Sequence, residues 1–333
     1  MTGIATDTVL LTRGEVAELL DLDTCIGAVE AAFRMHGEGR TPDPAIMGVQ
    51  VPDGGFHTKG GLLDLGRSYF AAKTNANFMH NRTRFGLPTI QGTIVLHDAE
   101  NGRVLAVMDS IEISILRTGA ATAVAARFLA RPDSARVAVA GCGAQGHVQL
   151  RALSRVLPLE RAFVWDLDRS RAERMASDLA PELRCEIAVV DDFAAAAREA
   201  DVCITCTPSE EFVLRRADVR PGTFVAGVGV DNPHKKELEP ALLAAGTVVV
   251  DVLDQCATIG DLHHALDAGV MTRAAVHAEL GSVVAGRATG RTRDDEVTVF
   301  DSTGMALQDV AAAAVVYERA VESGVGRVID FGG

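Results

Sequence analysis

The sequence is poor in aromatic side chains, which limits what its core can be made of. Aromatic residues account for only 5% of the 333 residues, whereas apolar residues of all kinds account for 48%. The core must therefore consist mainly of Ala, Val and Leu, a composition that suits a parallel sheet covered by helices. A chain of this length can form two domains, each with its own core.

Acidic residues outnumber basic ones, and the sequence contains no long apolar run. Each of these features argues against a class of binding partner. The formal net charge is −13, which argues against nucleic acid or an anionic membrane surface as the main partner. No run of about 18 apolar residues could span a membrane. The first residues, MTGIATDTVLLTRGE, lack the basic-then-apolar pattern of a signal peptide. We therefore expect a soluble, cytoplasmic protein that binds neither nucleic acid nor membranes.

Disulfide frameworks and common metal or nucleophile motifs are missing as well. The six cysteines are scattered at positions 25, 142, 185, 203, 206 and 256. Cys203 and Cys206 have CxxC spacing, but they lie in DVCITC, which is typical of a buried strand, and no second pair completes a zinc site. An HExxH helix, a Walker A loop, a nucleophile elbow and an EF-hand loop are also missing. We expect no bound metal ion.

The stretch RVAVAGCGAQG, residues 136–146, is the strongest motif that is present. A short apolar run that favours a β-strand ends in the pattern GxGxxG, and a segment with helical leucine spacing follows. Gly141 allows a tight turn, Gly143 lets a pyrophosphate approach, and Gly146 lets the helix pack on the strand. The free N–H groups and the dipole of the helix then favour an anion.

Asp166 supports the interpretation of this motif as a dinucleotide site, because glycine patterns alone also occur in ordinary turns. A second apolar strand, Ala162 to Trp165, ends at Asp166, about 20 residues after the turn, where an acid binds the adenosine ribose hydroxyls. This favours NAD over NADP. Arg169 and Arg171 lie close enough in sequence to keep NADP open as an alternative.

The order of the remaining elements predicts an α/β protein with two kinds of sheet. Strands alternate with helices at residues 136–140, 162–166, 185–190, 201–206, 223–228 and 247–251, which indicates a Rossmann-type, doubly wound parallel sheet. Before them, a smaller α+β block is predicted to contain strands at residues 9–12, 56–59, 69–73, 93–96 and 104–108, with an Asn-Gly hairpin at residues 101–102. A long Ala/Val helix, residues 305–323, ends the chain.

Four charged residues are candidates for binding and catalysis. Lys59 and Lys73 lie in strand-like segments, and each is either a solvated strand edge or a cation aimed into a pocket. Arg117 interrupts an apolar helix and needs an anion, either a substrate carboxylate, a cofactor phosphate or an internal salt bridge. Asp231 follows the strand 223–228 at the end where open α/β sheets bind ligands, so it either faces the nicotinamide or caps a helix. One acid among several cations suits an amino acid.

Taken together, the motifs closely resemble those of the ornithine cyclodeaminase/mu-crystallin family. Lys73 is followed by LPTIQG, LHDAENGRVLAVMDS, LRTGAATAVAARFLAR, GCGAQG, GVGVDNPHKKEL and VTVFDSTGMALQD, in this order over nearly the whole chain. The family is known for NAD(P)-dependent chemistry at a C–N bond. Its members include ornithine cyclodeaminase, a class of alanine dehydrogenase, and reductases of ketimines and of iminosuccinate.

The resemblance implies roles for particular residues and domains. Lys73 and Arg117 would bind the substrate carboxylate, and Asp231, with Lys73, would be catalytic. Residues 1–125 and 302–333 would form the substrate-binding and dimerisation domain of a homodimer, and residues 126–301 the dinucleotide-binding domain. The implied cofactor contacts are Thr89, Arg117, Thr118, Gly141, Gly143, Ala144, Gln145, Gly146, Asp166, Thr207, Val228, Gly229, Lys235 and Ser302.

One departure from the family pattern bears on the substrate. Many members carry an arginine in a Pro-Pro-Arg motif where this sequence has Ala45, which argues against ornithine cyclisation. Lys59 is a replacement cation. We therefore expect an NAD(H)-dependent amino-acid dehydrogenase or imine reductase, and extra cations (Arg67, Arg82, Arg84) make iminosuccinate a candidate substrate. The alternatives are a redox-neutral cyclodeaminase and a non-catalytic, crystallin-like NAD(P)H-binding protein.

Overall fold

The computed structural model describes residues 7–330, which form two compact units. Unit 1 consists of residues 7–117 and 305–330, and unit 2 consists of residues 118–304. The strands are β1 (Asp7–Leu11), β2 (Ala45–Val51), β3 (Gly54–Asp64), β4 (Ser68–Asn77), β5 (Ile90–Asp98), β6 (Val104–Asp109), β7 (Arg136–Ala140), β8 (Arg161–Trp165), β9 (Glu186–Val189), β10 (Val202–Thr205), β11 (Phe224–Gly227), β12 (Thr247–Val250), β13 (Ala278–Glu279), β14 (Thr298–Asp301) and β15 (Arg327–Asp330).

The helices lie between these strands and differ widely in length. They are α1 (Arg13–Leu19), α2 (Leu22–Gly37), α3 (Asn81–Phe85), α4 (Ile111–Leu129), α5 (Ala144–Ser154), α6 (Arg169–Leu179), α7 (Phe193–Glu199), α8 (Pro240–Ala245), α9 (Leu253–Ile259), α10 (Asp261–Asp267), α11 (Leu280–Val284) and α12 (Ala306–Ser323). No helix between residues 7 and 330 combines the length and the apolar character that crossing a membrane requires.

Unit 1 is built on a seven-stranded sheet with the order β15-β1-β6-β5-β4-β3-β2. Only the β1–β6 pair is parallel; the other neighbouring strands are antiparallel. Helix α12 packs on this sheet. A side chain at Gly61 of β3 would place its Cβ 2.8 Å from Leu307, so the glycine lets the helix approach closely. Gly102 has φ +79, as the predicted hairpin requires.

All five predicted strands of the first block are present, but the two edge strands of the sheet are additional. Every residue of β2 is exposed, and Pro44 and Pro52 flank it directly. These prolines indicated a loop, whereas they stand just outside an edge strand, where a missing N–H costs no ladder hydrogen bond. Strand β15 was hidden because it pairs with β1, at the other end of the chain.

Unit 2 contains an eight-stranded sheet with the order β13-β12-β14-β11-β10-β7-β8-β9, in which all pairs are parallel. The six predicted strands are all present, and their core is rich in Ala and Val as composition suggested. The prediction of six strands was incomplete, because β13 and β14 were missed. β14 is a short, fully buried run after a polar loop, and it inserts between β11 and β12.

Candidate active site

The predicted dinucleotide turn follows β7, and its three glycines meet different demands. Gly141 has φ +99, and a Cβ there would lie 2.7 Å from the Cys206 carbonyl oxygen. A Cβ on Gly146 would lie 2.1 Å from the Gly141 carbonyl oxygen, so no side chain fits. A Cβ on Gly143 would meet nothing within 4 Å, which leaves open space in front of α5.

The N-terminus of α5 keeps its backbone N–H groups available to a ligand. Gly143 occupies the N-cap position and provides no side-chain cap. Ala144 begins the helix and is exposed, and Gln145 follows in the first turn. Uncapped N–H groups facing open space, at the positive end of an eleven-residue helix, fit a pyrophosphate.

Asp166 follows β8 and lies at the mouth of the turn. Its Oδ2 accepts a hydrogen bond from the Cys142 N–H at 2.8 Å, and its Oδ1 accepts one from the Asp168 N–H at 3.0 Å. The carboxylate is therefore fixed beside the glycine turn. Arg169 pairs with Glu173 at 3.0 Å and with Asp191, and Arg171 lies 3.5 Å from Asp168.

Four further predicted cofactor contacts lie at the carboxyl ends of neighbouring strands in the same sheet. Thr207 follows β10, Val228 and Gly229 follow β11, and Ser302 follows β14. The Val228 N–H donates to the Thr205 carbonyl and the Ser302 N–H donates to the Gly227 carbonyl. The structure thus brings these positions to the edge of the sheet at which α/β proteins bind ligands.

Glu237 connects two of these loops, and sequence reasoning missed it. This buried carboxylate accepts hydrogen bonds from the N–H and hydroxyl of Thr207 and from the Gly229 N–H. Burial, reinforced by the negative charge of Asp261, raises the pKa of Glu237 to about 7 although these hydrogen bonds oppose the shift. The sequence motif HKKEL contained the residue but gave no sign of its partners.

Asp231 lies on the loop after β11 and forms an ion pair with Lys235. The Lys235 Nζ is 2.7 Å from the Asp231 carboxylate and 3.4 Å from the Gly229 carbonyl oxygen. The Asn232 side chain accepts hydrogen bonds from the backbone N–H groups of His234 and Lys235, which shapes the loop. Because the Asp231 side chain is half exposed, its carboxylate is accessible to a ligand.

Unit 1 contains a buried ion cluster formed by Lys73 of β4, Arg117 of α4 and Asp309 of α12. Lys73 Nζ and Arg117 Nε lie 2.7 and 3.2 Å from the Asp309 carboxylate. Arg117 also donates to Gln308 Oε1 at 2.9 Å. The exposed fractions of Lys73, Arg117 and Asp309 are 4%, 9% and 2%, so water does little to solvate these charges.

When Lys73 is protonated, the ion cluster carries one uncompensated positive charge, since two cations share one carboxylate. Lys59 lies opposite Lys73 in the β3–β4 register, on the same face of the sheet, and adds a further cation nearby. Burial lowers the pKa of Lys73 to about 7, helped by Arg117 and Lys59 and opposed by Asp309. Burial alone would raise the pKa of Asp309, but Lys73 and Arg117 hold it below its ordinary value. Such a cluster suits an anionic ligand.

Asp309 was not found by sequence reasoning, although its partner was. The apolar helix around Arg117 signalled the need for an anion and left an internal salt bridge open, and the structure contains that salt bridge. Other extra cations are also engaged, because Arg67 pairs with Asp98 and Arg84 with Asp53.

The remaining predicted cofactor contacts are divided between the two units. Thr89 precedes β5 in unit 1, where its carbonyl accepts a hydrogen bond from the Phe78 N–H at 2.8 Å. Arg117 is the last residue of the first segment of unit 1, and Thr118, the next residue of α4, begins unit 2.

Comparisons with known proteins give consistent results. The family model described as "Ornithine cyclodeaminase/mu-crystallin family" matches residues 6–324. A solved archaeal alanine dehydrogenase dimer with bound NAD is 37% identical to this chain, with a TM-score of 0.93, covering 98% of this chain and 99% of that chain.

Two further solved structures are similar over almost the whole chain. The Thermococcus litoralis Δ1-pyrroline-2-carboxylate reductase, in complex with NADH and L-proline, is 32% identical with a TM-score of 0.91, covering 96% of this chain and 99% of that chain. The Paracoccus denitrificans iminosuccinate reductase, in complex with NAD+, is 30% identical with a TM-score of 0.87, covering 97% of this chain and 99% of that chain.

Proposed function

The chain belongs to the ornithine cyclodeaminase/mu-crystallin family, and from this premise we propose that it is an NAD(H)-dependent oxidoreductase acting on the C–N bond of a small amino or imino acid. The observation that carries the substrate class is the buried ion cluster of Lys73, Arg117 and Asp309. With Lys73 protonated, its one uncompensated positive charge is suited to a single carboxylate. The similar solved structures are those of enzymes named for alanine, pyrroline carboxylate and iminosuccinate.

The residues of unit 2 fit a bound NAD, which would accept or donate a hydride at its nicotinamide ring. The open space at Gly143 and the uncapped start of α5 would hold the pyrophosphate. Asp166 would bind the adenosine ribose. Asp166 favours NAD over NADP, and the nearby cations Arg169 and Arg171 form exposed ion pairs with acids of the protein. Thr207, Val228, Gly229, Lys235 and Ser302 would supply the remaining contacts of this unit.

The charged residues would divide the work of binding and proton transfer. Lys73 and Arg117 would hold the substrate carboxylate, with Lys59 as an additional cation. Asp231 would take a proton from, or return it to, the substrate nitrogen, or would activate water at an imine. We assign substrate binding to unit 1 and dinucleotide binding to unit 2.

We further propose that unit 1 forms a homodimer. Strand β2 is an edge strand whose large apolar side chains are exposed, Met47 at 59%. An apolar edge strand left in water tends to associate with another chain. The archaeal alanine dehydrogenase is a dimer. The six free thiols support a reducing compartment such as the cytoplasm.

The first test of the activity follows NADH by its absorbance. NADH is mixed with small 2-oxo acids and ammonium or methylamine, and NAD with a panel of amino acids that includes ornithine. Net oxidation or reduction of the cofactor supports an oxidoreductase. Ammonia release from ornithine without net change in NADH would replace this proposal with a redox-neutral cyclodeaminase. NADH binding without any turnover would replace it with a non-catalytic, crystallin-like protein.

The role of Asp231 has a test of its own. We expect Asp231→Asn to bind NADH as the unmodified protein does but to lose turnover by about 10²- to 10⁴-fold, the usual contribution of a general acid or base. Asp254→Asn is the matched control, since Asp254 is an exposed acid of unit 2 that also pairs with a cation. Undiminished turnover in Asp231→Asn would remove this residue from the mechanism.

A further inference from the structure

A fully buried carboxylate, Glu237, lies where two neighbouring strands of the unit 2 sheet end. Its Oε1 accepts hydrogen bonds from the N–H of Thr207 and, at 2.8 Å, from the Thr207 hydroxyl, in the loop after β10. Its Oε2 accepts one from the Gly229 N–H at 2.8 Å, in the loop after β11. One side chain therefore ties together two loops that follow adjacent parallel strands.

We propose that Glu237 is a positioning residue for the reaction: its carboxylate fixes the Thr207 loop against the Asp231 loop and so sets the geometry at which cofactor and proton-transfer group are presented. Glu237 contacts neither substrate nor cofactor in this scheme and acts through two backbone segments. The inference rests on the proposed function, which assigns cofactor contact to Thr207 and proton transfer to Asp231.

The two loops are packed so closely that Glu237 controls both. A Cβ on Gly229 would lie 2.3 Å from the Thr207 carbonyl oxygen and 2.7 Å from the Glu237 carboxyl carbon. Asp231 is only two residues further on, and Lys235 binds both the Asp231 carboxylate and the Gly229 carbonyl oxygen. A displacement of the Gly229 backbone is therefore transmitted directly to the Asp231 side chain.

Glu237 holds the two loops most firmly when its carboxyl group is ionised. A protonated carboxyl group is a weaker acceptor, and its own proton needs an acceptor among groups that are themselves donors, so it holds the two loops less firmly. The titratable groups that face it are Asp261, whose Oδ1 accepts the Glu237 N–H at 2.9 Å, and the thiol of Cys206. Burial and Asp261 raise the pKa of Glu237 to about 7, so its hold on the loops weakens as the pH falls through neutrality.

The test compares Glu237→Gln with Glu239→Gln, which removes the same charge two residues away. Glu239 accepts a hydrogen bond from the Arg216 N–H instead. NADH affinity is measured by fluorescence titration, and turnover is measured across neutral pH. We expect Glu237→Gln to weaken NADH binding and turnover by about tenfold each, the effect of losing one charge-assisted hydrogen bond. It should also lose the decline in turnover below about pH 7 that Glu239→Gln and the unmodified protein share, whereas Glu237→Asp should keep it.

The outcomes separate this inference from the proposed function. An unmodified protein that neither binds NADH nor turns over any amino or imino acid would overturn the proposed function and this inference with it. Turnover in the unmodified protein, combined with a Glu237→Gln variant that matches Glu239→Gln in affinity and pH profile, would overturn the inference alone. A uniform loss of activity with an unchanged pH profile would do the same, since it would indicate a merely structural role.

A measurement on the unmodified protein covers the case in which Glu237→Gln does not fold. Amide hydrogen exchange is followed in peptides containing Thr207 and Gly229 and corrected for the intrinsic pH dependence of exchange. We expect protection of both amides to be greater above neutral pH than below it. Protection that does not change with pH would contradict the inference.

Discussion

The groups around Lys73 have opposite effects on its pKa. Burial and the neighbouring cations Arg117 and Lys59 favour the neutral amine, whereas Asp309 favours the ammonium ion. The result, a pKa of about 7, means that the positive charge of the ion cluster depends on pH near neutrality. A substrate carboxylate bound there would itself help to keep Lys73 protonated.

Carboxylate binding should accordingly weaken as the pH rises through neutrality. Lys73 is charged below its pKa and neutral above it, while the carboxylate of a 2-oxo acid stays ionised over the whole interval. The dissociation constant of a small 2-oxo acid from the NADH complex should therefore increase above about pH 7. Lys73→Met should bind it weakly at every pH. An affinity that does not vary with pH in the unmodified protein would contradict the role of Lys73.

Asp309 should matter for stability as well as for binding. Asp309→Asn removes the counter-ion of the cluster: Lys73 can lose its proton, but Arg117 stays charged and buried, and breaking a buried pair in this way costs about 3–5 kcal/mol. Urea unfolding measures the loss. Asp53→Asn is the control, because the Arg84–Asp53 pair is more than half exposed on both sides and such pairs contribute about 1 kcal/mol or less. Equal destabilisation by the two substitutions would show that the cluster is solvated.

At the level of secondary structure, the segment β7–turn–α5 contains one glycine that the fold requires and another that only ligand binding should require. Gly143→Ala adds a methyl group to open space, so the fold should be unaffected while NADH binding weakens by about tenfold or more. Gly146→Ala would collide with the Gly141 carbonyl and should lower the thermal unfolding temperature. Fluorescence titration and thermal unfolding of both variants test this. Full NADH affinity in Gly143→Ala would place the pyrophosphate elsewhere.

Elements were predictable from the sequence where their signal is local. The turn of residues 141–146 and the acid at Asp166 follow from a strand, a glycine pattern and a spacing, all within about 30 residues. Strand β2 was missed because the prolines beside it indicated a loop, whereas strands β14 and β15 were missed because what makes them strands is a partner elsewhere in the chain. Asp309 and Glu237 were missed for the same reason. A buried acid is recognised by the cations and N–H groups around it, and folding alone brings these together.

At the scale of the whole molecule, different features of the sequence specify the folds of the two units. Unit 2 has a parallel sheet whose central strands are almost entirely buried, so apolar runs specify them. Unit 1 has long hairpins and two edges, and its C-terminal segment supplies α12 and β15. The first and last parts of the chain must therefore meet before the acid Asp309 can reach Lys73.

The exposed edge of unit 1 leads to a prediction about assembly. Strand β2 presents Ile46, Met47 and Val49 to solvent, each more than two-fifths exposed, which is a large apolar surface for a strand with an unpaired edge. Met47→Lys should convert a homodimer to a monomer, because a buried charge at an interface costs more than the contacts of one strand supply. Light scattering coupled to size-exclusion chromatography measures the mass. Val270→Lys is the control, since Val270 is an apolar residue of unit 2 that is also about half exposed. A dimer that survives Met47→Lys would place the interface on another surface, and a monomeric unmodified protein would overturn the proposed assembly altogether.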